Sequence, residues 1–193
     1  MSRIISGIAG GQPLTSVATD ATRPTTDRVK EALFSRLESW DVLDDAVVVD
    51  LFAGSGSLGA EAVSRGARTA VLVDQAPAAQ VAMRANAAMI NKAVGKERVK
   101  QVRLSVNTYL SRYVGEEITL AFLDPPYPLG EAELNEVLAA LDPHLASDAV
   151  VVVERSTRST GPVWPARWNA LKERKYGETT LWFAETVEVK PGE

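Results

Sequence analysis

The segment "VVVDLFAGSGSLGAEA" (residues 47–62) decides the fold class of this chain. It starts as an unbroken apolar run, which is typical of a strand buried on both faces of a sheet. Gly54, Gly56 and Gly59 follow with G-x-G-x-x-G spacing, and a helical pattern comes directly after the turn. Glycines between a strand and a helix permit a tight turn and a close approach of the backbone to a ligand. The segment therefore predicts the nucleoside-binding part of an α/β protein.

The same alternation of strand and helix continues along the chain. Further apolar runs of the strand type lie at residues 69–74, 118–124 and 149–154. Helical patterns lie between the strands, at residues 57–65, 77–92 and 131–141. A more polar run at 98–104 predicts a strand nearer an edge. Strands that alternate with helices predict a parallel, doubly wound sheet.

The two ends of the chain have patterns of their own. Residues 1–24 contain two short apolar runs around Gly10 and Gly11, which indicate either a hairpin or a loose tail. A helical pattern starts near residue 26, so we divide the chain into an N-terminal extension (1–24) and a catalytic domain (25–193). At the other end, "WNALKERKY" and "ETTLWFAETVEV" predict two final strands that form an antiparallel hairpin with a turn at Gly177.

Composition excludes several classes of site. The chain has no cysteine among its 193 residues and one histidine, His144, which we expect at the surface, so no metal site is predicted. No apolar run is long enough for a membrane span and the N-terminus lacks a signal-peptide pattern, so we expect a cytoplasmic protein without membrane contact. A formal net charge of −4 argues against a generic nucleic-acid coat protein but leaves room for a local basic patch.

Two acids beside the glycine turn indicate which cofactor binds. Asp74 ends the second apolar run, where a carboxylate accepts hydrogen bonds from a ribose hydroxyl. Asp50 ends the first run, just before the glycines, where it would repel the pyrophosphate of a nicotinamide dinucleotide. It would attract a cofactor with a cationic amino-acid end. Asp50 therefore favours S-adenosylmethionine, with an NAD-dependent oxidoreductase as the alternative from another class.

The segment "LDPPY" (residues 123–127) ends another apolar run, so it is expected beside the cofactor. The Asp124 carboxylate and the Pro125 carbonyl can accept hydrogen bonds from an exocyclic amine and leave its lone pair aimed at a methyl group. Pro125 and Pro126 stiffen the loop. Tyr127 offers a face on which a planar base can stack. The alternative is a simple strand stop followed by a turn.

Taken together, the motifs "RPTTDRVKEALFSRL", "DLFAGSGSLGAEAVSRGA", "VLVD" and "LDPPY" resemble the RsmD-type 16S ribosomal RNA guanine-N2 methyltransferases of bacteria. The resemblance implies a class I methyltransferase fold: a Rossmann-like, doubly wound, seven-stranded sheet with its last strand antiparallel and a small N-terminal hairpin. It implies S-adenosylmethionine as methyl donor and the 2-amino group of a small-subunit rRNA guanine as acceptor. Methyltransferases of DNA bases and of protein glutamine share the Asp-Pro-Pro-aromatic motif and remain the alternatives within this class.

The resemblance also implies roles for particular residues of this sequence. The cofactor would be held by Asp50, Phe52, Gly54, Ser55, Gly56, Asp74, Asn107 and Asp124. The catalytic loop would be Asp124, Pro125, Pro126 and Tyr127, and the RNA would be bound by Arg23, Thr25, Arg28 and Tyr127. The hairpin segment "SGIAGGQPLTSV" (6–17) has none of the basic residues that relatives tend to have there. We expect a monomer that acts on 16S rRNA or a small-subunit assembly particle.

Overall fold

The computed structural model describes residues 1–18 and 26–188. Its helices are α1 (Asp27–Ser39), α2 (Ser57–Ser64), α3 (Pro77–Val94), α4 (Val106–Ser111) and α5 (Glu131–Leu141), with a short 3₁₀ turn at Asp142–His144. Its strands are β1 (Val47–Leu51), β2 (Thr69–Val73), β3 (Val99–Val102), β4 (Ile118–Leu123), β5 (Leu145–Ser156), β6 (Trp168–Ala170), β7 (Arg174–Tyr176) and β8 (Thr179–Thr186).

The strands form one sheet in the order β3-β2-β1-β4-β5-β8-β6, with β7 also paired to β8. Strands β1 to β5 are mutually parallel, and β8 is antiparallel to β5. The winding reverses at β1, whose neighbours are β2 on one side and β4 on the other. The doubly wound sheet and the antiparallel last strand predicted from the sequence are confirmed, and the polar strand β3 lies at an edge as expected.

The number of strands differs from the predicted seven. Within the described residues the sheet has eight strands, because the segment predicted as one strand from "WNALKERKY" is interrupted. Ala170 pairs with Ala184 and Arg174 pairs with Leu181, so three residues of the interrupted segment lie opposite two residues of β8. An extra residue of this kind is a β-bulge, which breaks the hydrogen-bond ladder. Strands β6 and β7 therefore share one position in the sheet.

Helices cover both faces of the sheet and bury two apolar cores. One core joins α1, α2 and α3 to the side chains of Val48, Phe122 and Val152. The other joins α4 and α5 to Leu51 and Leu123 and their neighbours. Successive side chains of a strand point to opposite faces, so burial of both faces explains why the runs are apolar at nearly every position.

The N-terminal segment forms a short hairpin that is anchored on α2. Arg3 and Pro13 form an antiparallel bridge, which confirms the hairpin rather than the loose tail. The buried carboxylate of Glu61 accepts hydrogen bonds from the backbone N–H groups of Ile5 (2.9 Å) and Ser6 (3.0 Å). The division of the chain at residue 24 stays a prediction, but residues 3–13 pack directly on the α/β unit.

Gly7 shows how closely this hairpin approaches α2. Its φ of +86° is one that side chains disfavour, and a Cβ atom there would lie 1.9 Å from the carbonyl oxygen of Ser64. The Ser64 hydroxyl donates to the carbonyl of Ser6 (2.7 Å) and accepts from the N–H of Ala9 (3.0 Å). Only glycine fits at position 7 without displacing this contact.

His144 is less exposed than the sequence indicated. The ring is partly buried, lies 4.9 Å from the ring of Tyr113, and places Nε2 2.9 Å from the carbonyl oxygen of Leu110. Because a carbonyl only accepts hydrogen bonds, Nε2 donates in this contact. His144 therefore ties the 3₁₀ turn to α4 and is not a simple surface residue. Within residues 1–18 and 26–188, no helix is both long and apolar enough to cross a bilayer.

Candidate active site

The turn between β1 and α2 is held in an unusual backbone conformation. Phe52, Gly54 and Gly56 all have positive φ angles, of +60°, +57° and +77°. A bulky residue such as Phe52 rarely adopts this conformation, so the surrounding structure must enforce it. The N–H of Ala53 donates to the carbonyl of Val73 (3.0 Å), which fixes the turn to the end of β2. The predicted cofactor residues of this turn therefore form one rigid loop at the point where the winding reverses.

Asp50 lies beneath that loop and is only 1% exposed. Its Oδ2 accepts a hydrogen bond from the N–H of Gly59 (2.9 Å) in the first turn of α2. Burial raises the pKa of Asp50 to about 8; the Gly59 hydrogen bond opposes this shift, and the nearby Asp74 carboxylate adds to it. A buried acid of this kind favours a cation beside it, because a cation restores the charged form.

Asp74 closes the other side of the loop. Its Oδ2 accepts from the N–H of Gly54 (2.9 Å), and its Oδ1 accepts from the N–H of Ala76 (2.9 Å) at the start of α3. The carboxylate therefore fixes the glycine turn as well as lying where a ribose would be expected. Because it is partly exposed, it remains accessible to a ligand.

Asn86 is a residue of this site that sequence reasoning missed. It lies on α3, is 1% exposed, and its Nδ2 donates to the carbonyls of Ser55 (2.8 Å) and Thr15 (2.9 Å). Its Oδ1 accepts from the N–H of Thr15 (2.8 Å). One amide therefore links the glycine loop to the N-terminal segment. The available signal was a polar residue on the apolar face of an Ala-rich helix, next to Met83 and Ile90 in helical spacing.

The loop at residues 124–128 follows β4 and lines a cavity of about 880 Å³. Asp124 and Pro125 lie at its inner end, where Pro125 is buried, whereas the Tyr127 side chain is 71% exposed. Residues from three other parts of the chain complete the wall: the start of α1, the end of β5 and the β7–β8 turn, including Thr26, Arg28, Glu154, Arg155, Lys175 and Glu178. The cavity is large enough for a planar base with its ribose.

The Asp124 carboxyl is buried close to two other acidic side chains, those of Glu154 and Asp50. Burial raises its pKa well above the usual value, and the carboxylates of Glu154 and Asp50 raise it further, while Arg155 opposes the shift. Arg155 also donates from Nη2 to the carbonyl of Leu129 (3.0 Å), which ties the loop to the end of β5. Burial and these charges therefore favour the protonated form of Asp124 more than in an ordinary aspartate, and a nearby cation would favour the carboxylate.

The structure brings most of the predicted residues together, in two adjoining groups. Asp50, Phe52, Gly54, Ser55, Gly56 and Asp74 form the glycine loop and its two acids; Asp124, Pro125, Pro126, Tyr127 and Arg28 line the cavity. Asn107 is exposed in the first turn of α4, after the edge strand β3. Arg23 and Thr25 lie outside the described residues. Lys175 and Arg155 also line the cavity.

Metal binding finds no support in this part of the molecule. Among the residues that the structure describes, no three His, Asp or Glu side chains are arranged to hold a metal ion.

The strand order, the reversed winding at β1 and the glycine loop at that point define a class I methyltransferase fold. The same fold occurs in magnesium protoporphyrin IX methyltransferase of Synechocystis PCC 6803, solved with bound SAM, with a TM-score of 0.63 at 10% identity over 82% of this chain and 78% of that one. The family described as "Conserved hypothetical protein 95" matches residues 2–185, and the chain belongs to it; this is the RsmD-type family that the sequence resembles.

Relatives within the family are similar over nearly the whole chain. Ribosomal RNA small subunit methyltransferase D of Escherichia coli (strain K12) is 35% identical over 176 residues, which cover 91% of this chain and 85% of the relative. The enzyme of the same name from Haemophilus influenzae is 31% identical over 91% of this chain and 89% of the relative. A solved hypothetical protein of Thermus thermophilus has a TM-score of 0.79 at 31% identity, covering 98% of this chain and 100% of that one.

Proposed function

We propose that this protein transfers a methyl group from S-adenosylmethionine to the 2-amino group of a guanine in small-subunit ribosomal RNA. One observation supports this most strongly: Asp124 and Pro125 line a base-sized cavity and follow β4, the strand that pairs with β1, which leads into the glycine loop. The names of the relatives supply the substrate class, since they are small-subunit rRNA methyltransferases. These names favour rRNA over a DNA base or a protein glutamine, and methyl transfer over an NAD-dependent oxidation.

The residues of the glycine loop fit S-adenosylmethionine. Burial raises the pKa of Asp50 to about 8. A neighbouring cation would stabilise its carboxylate. A Cβ atom at Gly54 would meet no atom within 4 Å, so the backbone there borders open space that a ligand can enter. Asp74 would hold the ribose, and Asn107 would lie near the adenine. The bound cofactor supplies an electrophilic methyl group on a positively charged sulfur.

The chain's own residues orient and deprotonate the acceptor amine. The Asp124 carboxylate and the Pro125 carbonyl would each accept one N–H hydrogen bond. These bonds favour a tetrahedral nitrogen whose lone pair is less delocalised into the ring. The methylated amine is briefly cationic and must lose one proton. Asp124 is suited to accept that proton, because burial and Glu154 raise its pKa well above the usual range.

Binding of RNA requires the target base to leave its stack. Tyr127, with 71% of its side chain exposed at the cavity, offers a face on which the displaced base can stack. Arg28 and Lys175 line the same cavity and can contact phosphates, in the role also proposed for Arg23 and Thr25. We propose a monomer in the cytoplasm acting on 16S rRNA or on an assembly particle that contains it.

The proposal is tested by methylation of small-subunit particles and of free 16S rRNA isolated from a strain that lacks this gene. We expect mass spectrometry of the digested RNA to show one new N2-methylguanosine. Asp124→Ala should abolish turnover, and Asp124→Asn should keep part of it, with losses on the order of 10²–10⁴-fold in rate. Both variants should bind S-adenosylmethionine. A product methylated on another base, or normal turnover by Asp124→Ala, would overturn the proposal.

A further inference from the structure

Glu154 lies beside the catalytic acid, although the two are far apart in sequence. Leu123 of β4 pairs with Val153 of β5, so Asp124, which directly follows β4, lies next to Glu154, which is still within β5. Phe122 and Val152, two positions earlier on each strand, point into the same core. Because side chains of a strand alternate, Asp124 and Glu154 point to that same face. Both also line the 880 Å³ cavity.

Two further observations show that the carboxyls share one environment. Glu154 is the largest charged contribution to the raised pKa of Asp124. Both side chains also lie in the wall of the same cavity, and no three His, Asp or Glu side chains among the described residues are arranged to hold a metal ion. Two acidic acceptors in a base-sized cavity instead match a ligand edge that has neighbouring N–H donors.

Guanine is the base that presents such an edge. Its exocyclic 2-amino group adjoins N1, which bears a hydrogen, so the edge has donors on adjacent atoms. In adenine and cytosine the ring nitrogen beside the amine is an acceptor with a lone pair. A carboxylate placed beside the amine therefore attracts guanine and repels the other two bases.

We propose that Glu154 selects guanine by accepting the N1–H hydrogen bond while Asp124 and Pro125 receive the 2-amino group. This inference rests on the proposed methylation of a guanine amine and adds the residue that sets base specificity. It also gives a reason for two acids to lie next to each other on adjacent strands: the two negative side chains are brought together for a substrate with two donors. Glu154 would touch the substrate base directly and would affect methyl transfer only through its charge beside Asp124.

The test replaces the target guanine, once mapped, by 2-aminopurine in reconstituted small-subunit particles. 2-Aminopurine keeps the 2-amino group, but its N1 has a lone pair and no hydrogen. We expect the wild type to prefer guanine by roughly 10- to 150-fold in kcat/KM, the range for one hydrogen bond to a charged group. In Glu154→Gln the side-chain amide can donate to the bare N1, so the preference should fall to within about threefold.

The comparison contains its own controls. 2-Aminopurine also lacks the guanine carbonyl, but this loss is the same for both proteins and cancels in the ratio of their preferences. Partial unfolding of a variant cancels in the same way. Glu178→Gln removes the same charge from another wall of the cavity and should leave the guanine preference at the wild-type value. Dissociation constants of both particles, measured without methyl transfer, should show the same change in preference.

The outcomes separate this inference from the function on which it rests. A wild type that methylates no guanine defeats the proposed function. A wild type that methylates guanine, together with a Glu154→Gln variant of unchanged preference, defeats the role of Glu154 and leaves the function standing. A loss of preference in Glu178→Gln as large as in Glu154→Gln would mean that negative charge in general, rather than a contact to N1, sets the specificity.

Discussion

We predict that the buried acid Asp50 makes the affinity for S-adenosylmethionine depend on pH. Its pKa is about 8 in the free protein, so at pH 7 roughly one molecule in ten has the charged form. If the cationic cofactor binds the charged form, its association constant should rise about tenfold between pH 6 and pH 7, with close to one proton released per cofactor bound. Asp50→Asn has no such proton, although its amide oxygen can still accept from Gly59.

Calorimetry in buffers of different ionisation enthalpy measures both the affinity and the proton count. Measurements below pH 7 avoid the titration of the cofactor's own amino group, at a pKa of about 8. Asp124 also has a raised pKa, so the decisive quantity is the difference in slope between the wild type and Asp50→Asn. Equal slopes for the two proteins, or a wild-type affinity that does not change with pH, would refute the assignment of Asp50 to the cationic end.

The raised pKa of Asp50 also predicts how the free energy of unfolding of the free protein depends on pH. Asp50 binds a proton more tightly in the folded state than in the unfolded chain, where its pKa is about 3.8. Between pH 4 and pH 8 the folded state therefore holds more protons, and the free energy of unfolding falls as pH rises. The stabilising contribution is complete below about pH 4 and is lost near pH 8. Urea unfolding should show a shallower decline in Asp50→Asn than in the wild type.

Substitutions at three further sites test the cavity wall, the loop that follows β4 and the buried ion pair between α1 and α2. Tyr127→Phe should be mild, whereas Tyr127→Ala should lose stacking of roughly 1–3 kcal/mol, measured as kcat/KM on rRNA; equal effects would exclude stacking. Arg155→Met should slow turnover and move its pH profile to higher pH, because Arg155 lowers the pKa of Asp124 and holds the loop; an unchanged profile would contradict this. Glu61→Gln leaves the buried Lys30 ammonium, 3.6 Å away, without its charge partner, and should cost roughly 3–5 kcal/mol in urea unfolding. The double variant with Lys30→Met should recover much of the lost free energy of unfolding. A cost below about 1 kcal/mol for Glu61→Gln would show that the ion pair contributes little to stability.

The local sequence pattern was sufficient to predict the strands, most of the helices and the glycine turn. Buried parallel strands produce unbroken apolar runs, and a turn with positive φ at Gly54 and Gly56 requires glycine, so both are visible in the sequence itself. The same holds for the loop that follows β4, since its two prolines and aromatic residue mark the end of a strand. The break between β6 and β7 was not visible, because a one-residue bulge depends on the partner strand β8.

The sequence by itself therefore determined the fold class, the glycine loop after β1 and the proline loop after β4 of this protein. Only the tertiary structure decided which side chains face these loops. Asn86 of α3 donates a hydrogen bond to the glycine loop. Glu154 lies beside Asp124 because β5 is the neighbour of β4 in the sheet. Periodicity specifies which face of an element is buried but contains no information on which elements are adjacent. The partners of a site that come from distant strands are set by the order of the sheet, and that order is a property of the whole chain.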